Sequence, residues 1–205
     1  MYKDYLKPFL DRLLGILAAF FLLPLMTVIF FLILVINRTW PFFIQPRAGL
    51  HEKVFNIIKF KTMSDEKDAS GNFIADDLRI TKIGNFLRKS SLDELPEIFN
   101  IILGHMSFVG PRPLLEEYLS SYNSQQRKRH NVKPGVTGLA QVNGRNLITW
   151  DEKFSYDLKY AEDISFKNDC LIILKTVFII FNTNSVNTSE NKIMKKFEGS
   201  DLRKE

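Results

Sequence analysis

Residues 13–36 read LLGILAAFFLLPLMTVIFFLILVI, a run with no charge and dense in Leu, Phe, Ile and Val. A helix needs about 20 such residues to match the hydrocarbon core of a bilayer. The stretch therefore commits the chain to a membrane and leaves the residues after it to form a domain at the membrane surface. A cleaved signal sequence fits poorly, because its apolar core spans roughly 7–15 residues and ends at a small-residue cleavage site. Pro24 sits near the middle of the run, removes one backbone hydrogen bond and crowds the carbonyl four residues back, so a bend is expected there. Lys3, Lys7 and Arg12 precede the run, and Arg38, Arg47, Lys53, Lys59 and Lys61 come after it. With basic residues on both flanks, the positive-inside bias names no winner for a crossing. Two topologies stay open: a kinked transmembrane helix, and a bent hairpin with both ends cytoplasmic.

No other stretch is long enough to span. Cys170 to Phe181 is apolar but short and interrupted by Lys175, which suits a helix lying in the interface or in a core. The rest fits one globular domain of ordinary size. A net charge of +5 favours anionic lipid headgroups and anionic substrates. Nucleic acid is not expected as a partner, since the basic residues are dispersed among acids and no nucleic-acid motif accompanies them. Cys170 is the only cysteine, which excludes an intramolecular disulfide and a multi-cysteine zinc site and fits a reducing, cytoplasmic location.

Trp40-Pro41-Phe42-Phe43-Ile44-Gln45-Pro46 ends the first helix with two prolines and sets aromatics where the chain leaves the bilayer, the pattern of an interfacial anchor. Val54 to Lys61 alternates apolar and polar residues over its second half and predicts a strand or hairpin arm, with Gly49 as a turn point. Ser64 to Asp77 is mostly charged or small and predicts a mobile loop able to close on a substrate. Ile80, Ile83, Phe86 and Leu87 recur at helical spacing. Leu92, Leu95, Ile98, Phe99, Ile102 and Leu103 do the same, with Gly104 as the stop. Leu114 to Arg129 predicts a further helix, Pro134-Gly135-Val136-Thr137-Gly138 a glycine-punctuated loop, and Gln141-Val142-Asn143-Gly144-Arg145 another turn. From Thr183 onward the chain is polar and expected to fray.

The chemistry-bearing residues cluster in Ser91-Leu92-Asp93-Glu94-Leu95-Pro96 and Gly110-Pro111-Arg112-Pro113. An Asp can attack phosphorus or hold a divalent cation, and an Arg on a Pro-flanked turn can set its planar fork against a phosphate. Acids in the first turn of a helix also simply complement its dipole. Beside that plain reading stands the possibility that backbone N–H groups there meet a bound phosphate.

These segments, together with Gln45-Pro46-Arg47-Ala48-Gly49, Lys59-Phe60-Lys61-Thr62-Met63, Met106-Ser107-Phe108-Val109 and the two glycine-containing stretches from Pro134 to Arg145, resemble the bacterial sugar transferase family, specifically its small monotopic phosphoglycosyl transferases. The resemblance implies an α+β fold, mostly α: a re-entrant membrane hairpin helix bent at Pro24, interfacial amphipathic helices and a small β-hairpin in one compact cytoplasmic domain. The implied division is an anchor at 1–38, a catalytic domain at 39–182 and a polar tail at 183–205. It also implies transfer of a sugar phosphate from a UDP-sugar, as an N-acetylated amino or diamino sugar, to polyprenol phosphate with release of UMP. That is the first membrane step of glycan assembly, at the cytoplasmic face of the bacterial inner membrane. Asp93 is the implied nucleophile, forming an acyl phosphate-sugar, and Mg2+ the implied cofactor, held by Asp93 and Glu94. Arg112 is the first candidate for gripping phosphate, with Lys59, Arg88 and Arg145 as further cations. Downstream glycosyltransferases, membrane lipids and a homodimeric partner are the other associations to expect.

Three positions depart from the family pattern. His105 stands where an acid commonly precedes Met-Ser, Leu139 where a Trp is common, and Leu23 where a Ser often precedes Pro24. A rival reading of the whole chain is a non-catalytic membrane scaffold for glycan-assembly enzymes, which would have no need of a nucleophile beside a phosphate clamp.

Overall fold

The computed structural model describes residues 1–144, 147–181, 196, 197 and 199. Its longest element is helix α1 (Lys7–Leu32), prolonged by π-helical turns at Tyr2–Leu6 and Ile33–Asn37. Helical structure continues through Pro24, and one turn later the Thr27 hydroxyl donates to the Leu23 carbonyl at 2.8 Å. Such back-bonding bends a helix slightly without breaking it. Tyr2–Asn37 is the one helix among the described residues long and apolar enough to cross a membrane.

One stripe of this helix faces the protein from end to end. Lys7, Asp11, Gly15, Met26, Ile29 and Ile33 are buried, at three- and four-residue steps and their multiples. Met26, Ile29 and Ile33 join Phe60, Leu87 and Ile98 in a single core cluster, with Ala18 and Leu22 packed against it. At the other end, Lys7 Nζ lies 2.6 Å from Asp169 Oδ2, and the Tyr2 and Tyr160 hydroxyls donate to the same carboxylate at 2.7 Å. The opposite face leaves Phe20, Phe21, Val28, Phe31 and Val35 more than half exposed.

Strands β1 (Phe42–Ala48) and β2 (Val54–Phe60) form an antiparallel hairpin that pairs Phe42 with Phe60 and Ala48 with Val54. The Gly49 N–H donates to the Lys53 carbonyl at 3.0 Å and closes the turn, as the sequence suggested. The aromatic stretch read as an interfacial anchor is mostly strand. Pro46 is tolerated because a two-stranded sheet consists only of edges. Between Ser64 and Ala75 only an isolated bridge, Lys67 with Phe73, interrupts the loop. Helices α2 (Asp76–Arg79) and α3 (Lys82–Lys89) come next, the latter capped by Thr81 Oγ1, which accepts from the Gly84 N–H at 2.9 Å.

Leu92 to Leu103 is not one helix. A 3-10 turn, Leu92–Glu94, carries the acids, and helix α4 (Glu97–Ile102) starts after Pro96. Proline has no N–H to give the Leu92 carbonyl, so the α ladder is interrupted at the acid pair. The segment 134–138 is also more ordered than a loop. Strand β3 (Ser107–Val109) pairs in parallel with β4 (Gly135–Thr137). The pairing depends on Gly135, where a Cβ would collide with the Gly110 backbone nitrogen. The expected helix from Leu114 to Arg129 divides into a 3-10 turn (Glu116–Ser121), α5 (Ser124–Arg127) and a second 3-10 turn (Lys128–Asn131). Asn123 causes the division: its side chain caps the Gln125 and Gln126 N–H groups and starts a new helix.

Helix α6 (Leu139–Val142) replaces the first part of the turn expected at 141–145, and Asn143 and Gly144 form the turn itself. Helices α7 (Trp150–Glu162) and α8 (Phe166–Phe181) complete the layer. Helix α8 buries Asp169 and Ile172 but exposes Leu171, Leu174, Val177 and Phe178. The polar tail lies outside the described residues except for positions 196, 197 and 199, where Phe197 is buried against Tyr118, Tyr122 and Phe154. The α+β, mostly helical class read from the sequence is the one observed.

Candidate active site

Ser91 enters the 3-10 turn with φ +56°, a left-handed conformation that directs Asp93 and Glu94 toward the β-hairpin. From β2, Lys59 Nζ reaches Glu94 Oε1 at 2.6 Å and Glu97 Oε1 at 3.0 Å. Arg112 Nη2 approaches Glu94 Oε1 at 2.7 Å. Arg88 is oriented from α3 by its Nε–H donating to Thr62 Oγ1 at 2.8 Å. Asp93, Glu94, Lys59, Arg88 and Arg112 all line one cleft of 1190 Å³. The same cleft is walled at its apolar end by Ala18 and Leu22 of α1 and Ile180 of α8. Arg145, the remaining cation named from the sequence, lies outside the described residues.

The Arg112 turn is held from several sides. The Gly110 N–H donates to the Thr137 carbonyl and the Gly135 N–H to the Pro111 carbonyl, both at 2.9 Å. Arg129 Nη2 donates to the Arg112 carbonyl at 2.8 Å while pairing with Asp157 at 2.7 Å. Both members of that pair are 2% exposed, so neither has water to fall back on.

The three acids differ sharply. Burial alone would raise the Glu94 carboxyl, but Arg112 and Lys59 outweigh it and hold the group well below the usual carboxylate range. Glu97 is pushed up to about 7, first by burial, against the pull of Lys59, with Glu94 adding to the rise. Asp93 is raised by burial and then by Glu94, with Lys59, Arg112 and Arg88 opposing. Asp93 is also the one acid of the three with no hydrogen bond or ion pair among the described residues. Arg112, for its part, is raised by Glu94, which keeps it cationic.

No group of three or more His, Cys, Asp or Glu side chains able to hold a metal occurs among the described residues. The available oxygens are the Asp93 carboxylate and Glu94 Oε2, since both cations engage Oε1. Two hard carboxylate donors beside an open cleft suit a small divalent cation that takes its other ligands from water and substrate phosphates.

Sequence reasoning missed Glu97, whose only signal was its place three residues after Glu94. Arg47, quoted from the sequence only as a flanking base and as part of a motif, also lines the cleft: its Nη2–H donates to Gln45 Oε1 at 2.6 Å and its pKa is lowered by burial and then by Arg112. Gln141, also in the cleft, was quoted only as part of a motif. His105 stays out of the cleft: its N–H donates to the Asn100 carbonyl at 2.9 Å and its ring sits 5.8 Å from that of Phe55.

Residues 2–183 match the family described as Bacterial sugar transferase. The chain is 43% identical over 195 residues to the "Uncharacterized sugar transferase EpsL" of Bacillus subtilis, covering 93% of this chain and 96% of that protein. It is 39% identical over 181 residues to the "UDP-glucose:undecaprenyl-phosphate glucose-1-phosphate transferase" of Xanthomonas campestris, covering 83% of this chain but 37% of that one. With the "UDP-galactose-lipid carrier transferase" of Erwinia amylovora the identity is 33% over 178 residues, with 78% of this chain and 37% of the relative covered. This chain therefore belongs to the bacterial sugar transferase family, and is a phosphoglycosyl transferase.

Proposed function

We propose that the protein transfers a sugar phosphate from a UDP-sugar to polyprenol phosphate in two steps, with Asp93 as the nucleophile. The observation that carries this reading is the unpaired Asp93 carboxylate in a cleft where the neighbouring Glu94 is tied to both Lys59 and Arg112. In the first step an Asp93 carboxylate oxygen attacks the phosphorus bearing the sugar, and the bond from that phosphorus to the bridging oxygen breaks, releasing UMP. The acyl phosphate-sugar left on Asp93 is then attacked at phosphorus by an oxygen of polyprenol phosphate. Asp93 leaves as a carboxylate, and the product is polyprenyl-diphosphate-sugar. No net proton moves in either step. Two-step covalent transfer also spares the two anionic substrates from meeting in one site.

Arg112, Arg88 and Lys59 supply positive charge along the path of the diphosphate, and Arg145 is assigned to the same task from its sequence position. Glu94, kept ionised by Arg112 and Lys59, orients both cations. Asp93 and Glu94 would hold Mg2+, which when bound neutralises phosphate charge and eases departure of UMP.

The re-entrant reading of α1 gains support from its packing. Its Lys7 end and its Ile33 end both contact the same domain, as expected of a helix that does not carry one end across a bilayer. The protein is thus read as monotopic, with the cytoplasmic face assigned from the sequence resemblance. For the donor sugar, an N-acetylated amino or diamino sugar is implied by the sequence resemblance, while the names of two relatives favour a plain hexose.

The deciding experiment incubates the purified protein with magnesium and a donor panel (UDP-glucose, UDP-galactose, UDP-N-acetylglucosamine and a UDP-diamino sugar) without lipid acceptor. Acid quenching and intact mass should reveal one sugar phosphate on Asp93, absent in Asp93→Asn. UMP release only in the presence of polyprenol phosphate, with no adduct, would reduce Asp93 to a metal ligand. A protein inactive with every donor and acceptor would favour the scaffold reading.

A further inference from the structure

The end of the long helix and the start of α3 are tied by one hydrogen bond, from Asn37 Nδ2 to Thr81 Oγ1 at 3.2 Å. Beside that tie lies a groove of 300 Å³, walled by Ile29, Leu32 and Ile36 on one side and by Ile83, Phe86 and Leu87 on the other. Ile29 and Leu87 are buried, but Leu32, Ile36 and Phe86 are 44%, 60% and 63% exposed, so the groove is an uncovered apolar surface. It continues the bare face of the helix, where Phe31 and Val35 are also exposed. Lys82 is its one polar lining residue. Arg38 follows Asn37 as Lys82 follows Thr81, so each partner in the tie has a cation next to it. Neither cation joins an ion pair among the described residues.

Apolar walls that run on from a membrane helix suit an acyl chain, and unpaired cations at one end suit a phosphate ester. We infer that this groove is a binding site for an anionic phospholipid, its acyl chain lying between the long helix and α3 and its headgroup phosphate meeting Lys82 and Arg38. A zwitterionic lipid fills the same groove but neutralises the two cations less fully. Bulk lipid covers the bare face of the helix from one side only, whereas the groove meets a chain from two helices at once and removes more of its surface from other contacts. The site shares no lining residue with the reaction cleft, so it stands apart from donor and acceptor binding.

The test uses the full chain in phosphatidylcholine nanodiscs doped with a phosphatidylglycerol or a phosphatidylcholine probe that carries a diazirine in its acyl chain, with adducts mapped by peptide mass spectrometry. The phosphatidylglycerol probe should label residues 29–36 and 82–87 about tenfold more than the phosphatidylcholine probe does. Lys82→Glu should bring that labelling down to the phosphatidylcholine level, and Lys82→Gln part of the way. Melting temperature should not fall in either variant, because Lys82 is exposed. Lys3→Glu makes the same change in net charge as Lys82→Glu at the far end of the helix and should leave the labelling as it is. An equal loss in Lys3→Glu would reduce the effect to general attraction by an anionic surface and overturn the site. Adducts spread evenly along the bare face, at Phe20, Phe21 and Val28 as much as in the groove, would do the same. Displacement of the probe by unlabelled polyprenol phosphate but not by phosphatidylglycerol would give the groove to the acceptor, and labelling that disappears as the protein dimerises would give it to a second copy. Either result overturns the inference. None of these readouts needs turnover, so the lipid site and the transferase reading fail separately.

Discussion

Lys59 serves two acids with one ammonium, lying 2.6 Å from Glu94 and 3.0 Å from Glu97. Glu97 is 3% exposed, so it has no water to replace a lost partner. Lys59→Ala should therefore cost about 3 kcal/mol of stability in urea unfolding at a pH where Glu97 is ionised. Adding Glu97→Gln should return most of that stability, while activity stays low because the cleft still lacks its cation. Full recovery of turnover in the double variant would show that Lys59 acts only on Glu97.

The same glutamate predicts a pH dependence. Its carboxyl is raised by burial from 4.5 to about 7, so the folded chain binds more protons than the unfolded chain between those values. Its contribution is full below the unfolded value and is lost as pH rises through about 7. The melting temperature of wild type relative to Glu97→Gln should accordingly fall between about pH 5 and about pH 8. A difference that rises over that range would contradict the buried, raised carboxyl.

Gly84→Ala sets two effects against each other. Alanine is favoured over glycine in a helix by about 1 kcal/mol. At this position, however, its Cβ would collide with the Thr62 carbonyl oxygen. Sterics should win, with a net loss of about 2 kcal/mol. Because Thr62 also orients Arg88, donor KM should rise. A stabilised Gly84→Ala protein with unchanged KM would show that α3 can slide away from Thr62.

Arg129→Lys keeps a charge beside Asp157 but loses the planar fork that also reaches the Arg112 carbonyl. Stability should fall by about 3 kcal/mol. Donor KM should rise more than kcat falls, as expected for a residue that positions a binding turn. Steady-state kinetics with melting curves would check both.

With Cys170→Ser as background, a cysteine placed at Lys3 should react with a membrane-impermeant maleimide only from the cytoplasmic side, as should one placed in the tail. Labelling of position 3 from the opposite side would establish a spanning helix.

The long apolar helix, the β2 arm, α3, the acid pair and the Arg112 turn were readable from residue order, because each rests on a local pattern: an apolar run, an alternation, a helical period, a proline turn. Strand β4 escaped because three residues flanked by glycines show no alternation, and its pairing with β3 is a long-range event. The helix expected from 114 to 129 failed at Asn123, whose capping chemistry outweighed a weak apolar period. Glu97 and Arg47 were hidden for a common reason. Their significance lies in burial and in the presence or absence of a partner, and both are set by segments distant in sequence.

The burial of Met26, Ile29 and Ile33 with Phe60 and Leu87, and the place of Ala18 and Leu22 in the cleft wall, make the anchor part of the reaction vessel. Trimming residues 1–38 to obtain a water-soluble enzyme would remove a wall and uncover the core, so no freely dissolved version of this catalyst can be cut from the chain. On the monotopic reading proposed above, vessel and keel are one piece, which would make the height of the reacting phosphorus above the lipid a fixed dimension of the protein and leave a lipid-borne acceptor only two dimensions to search.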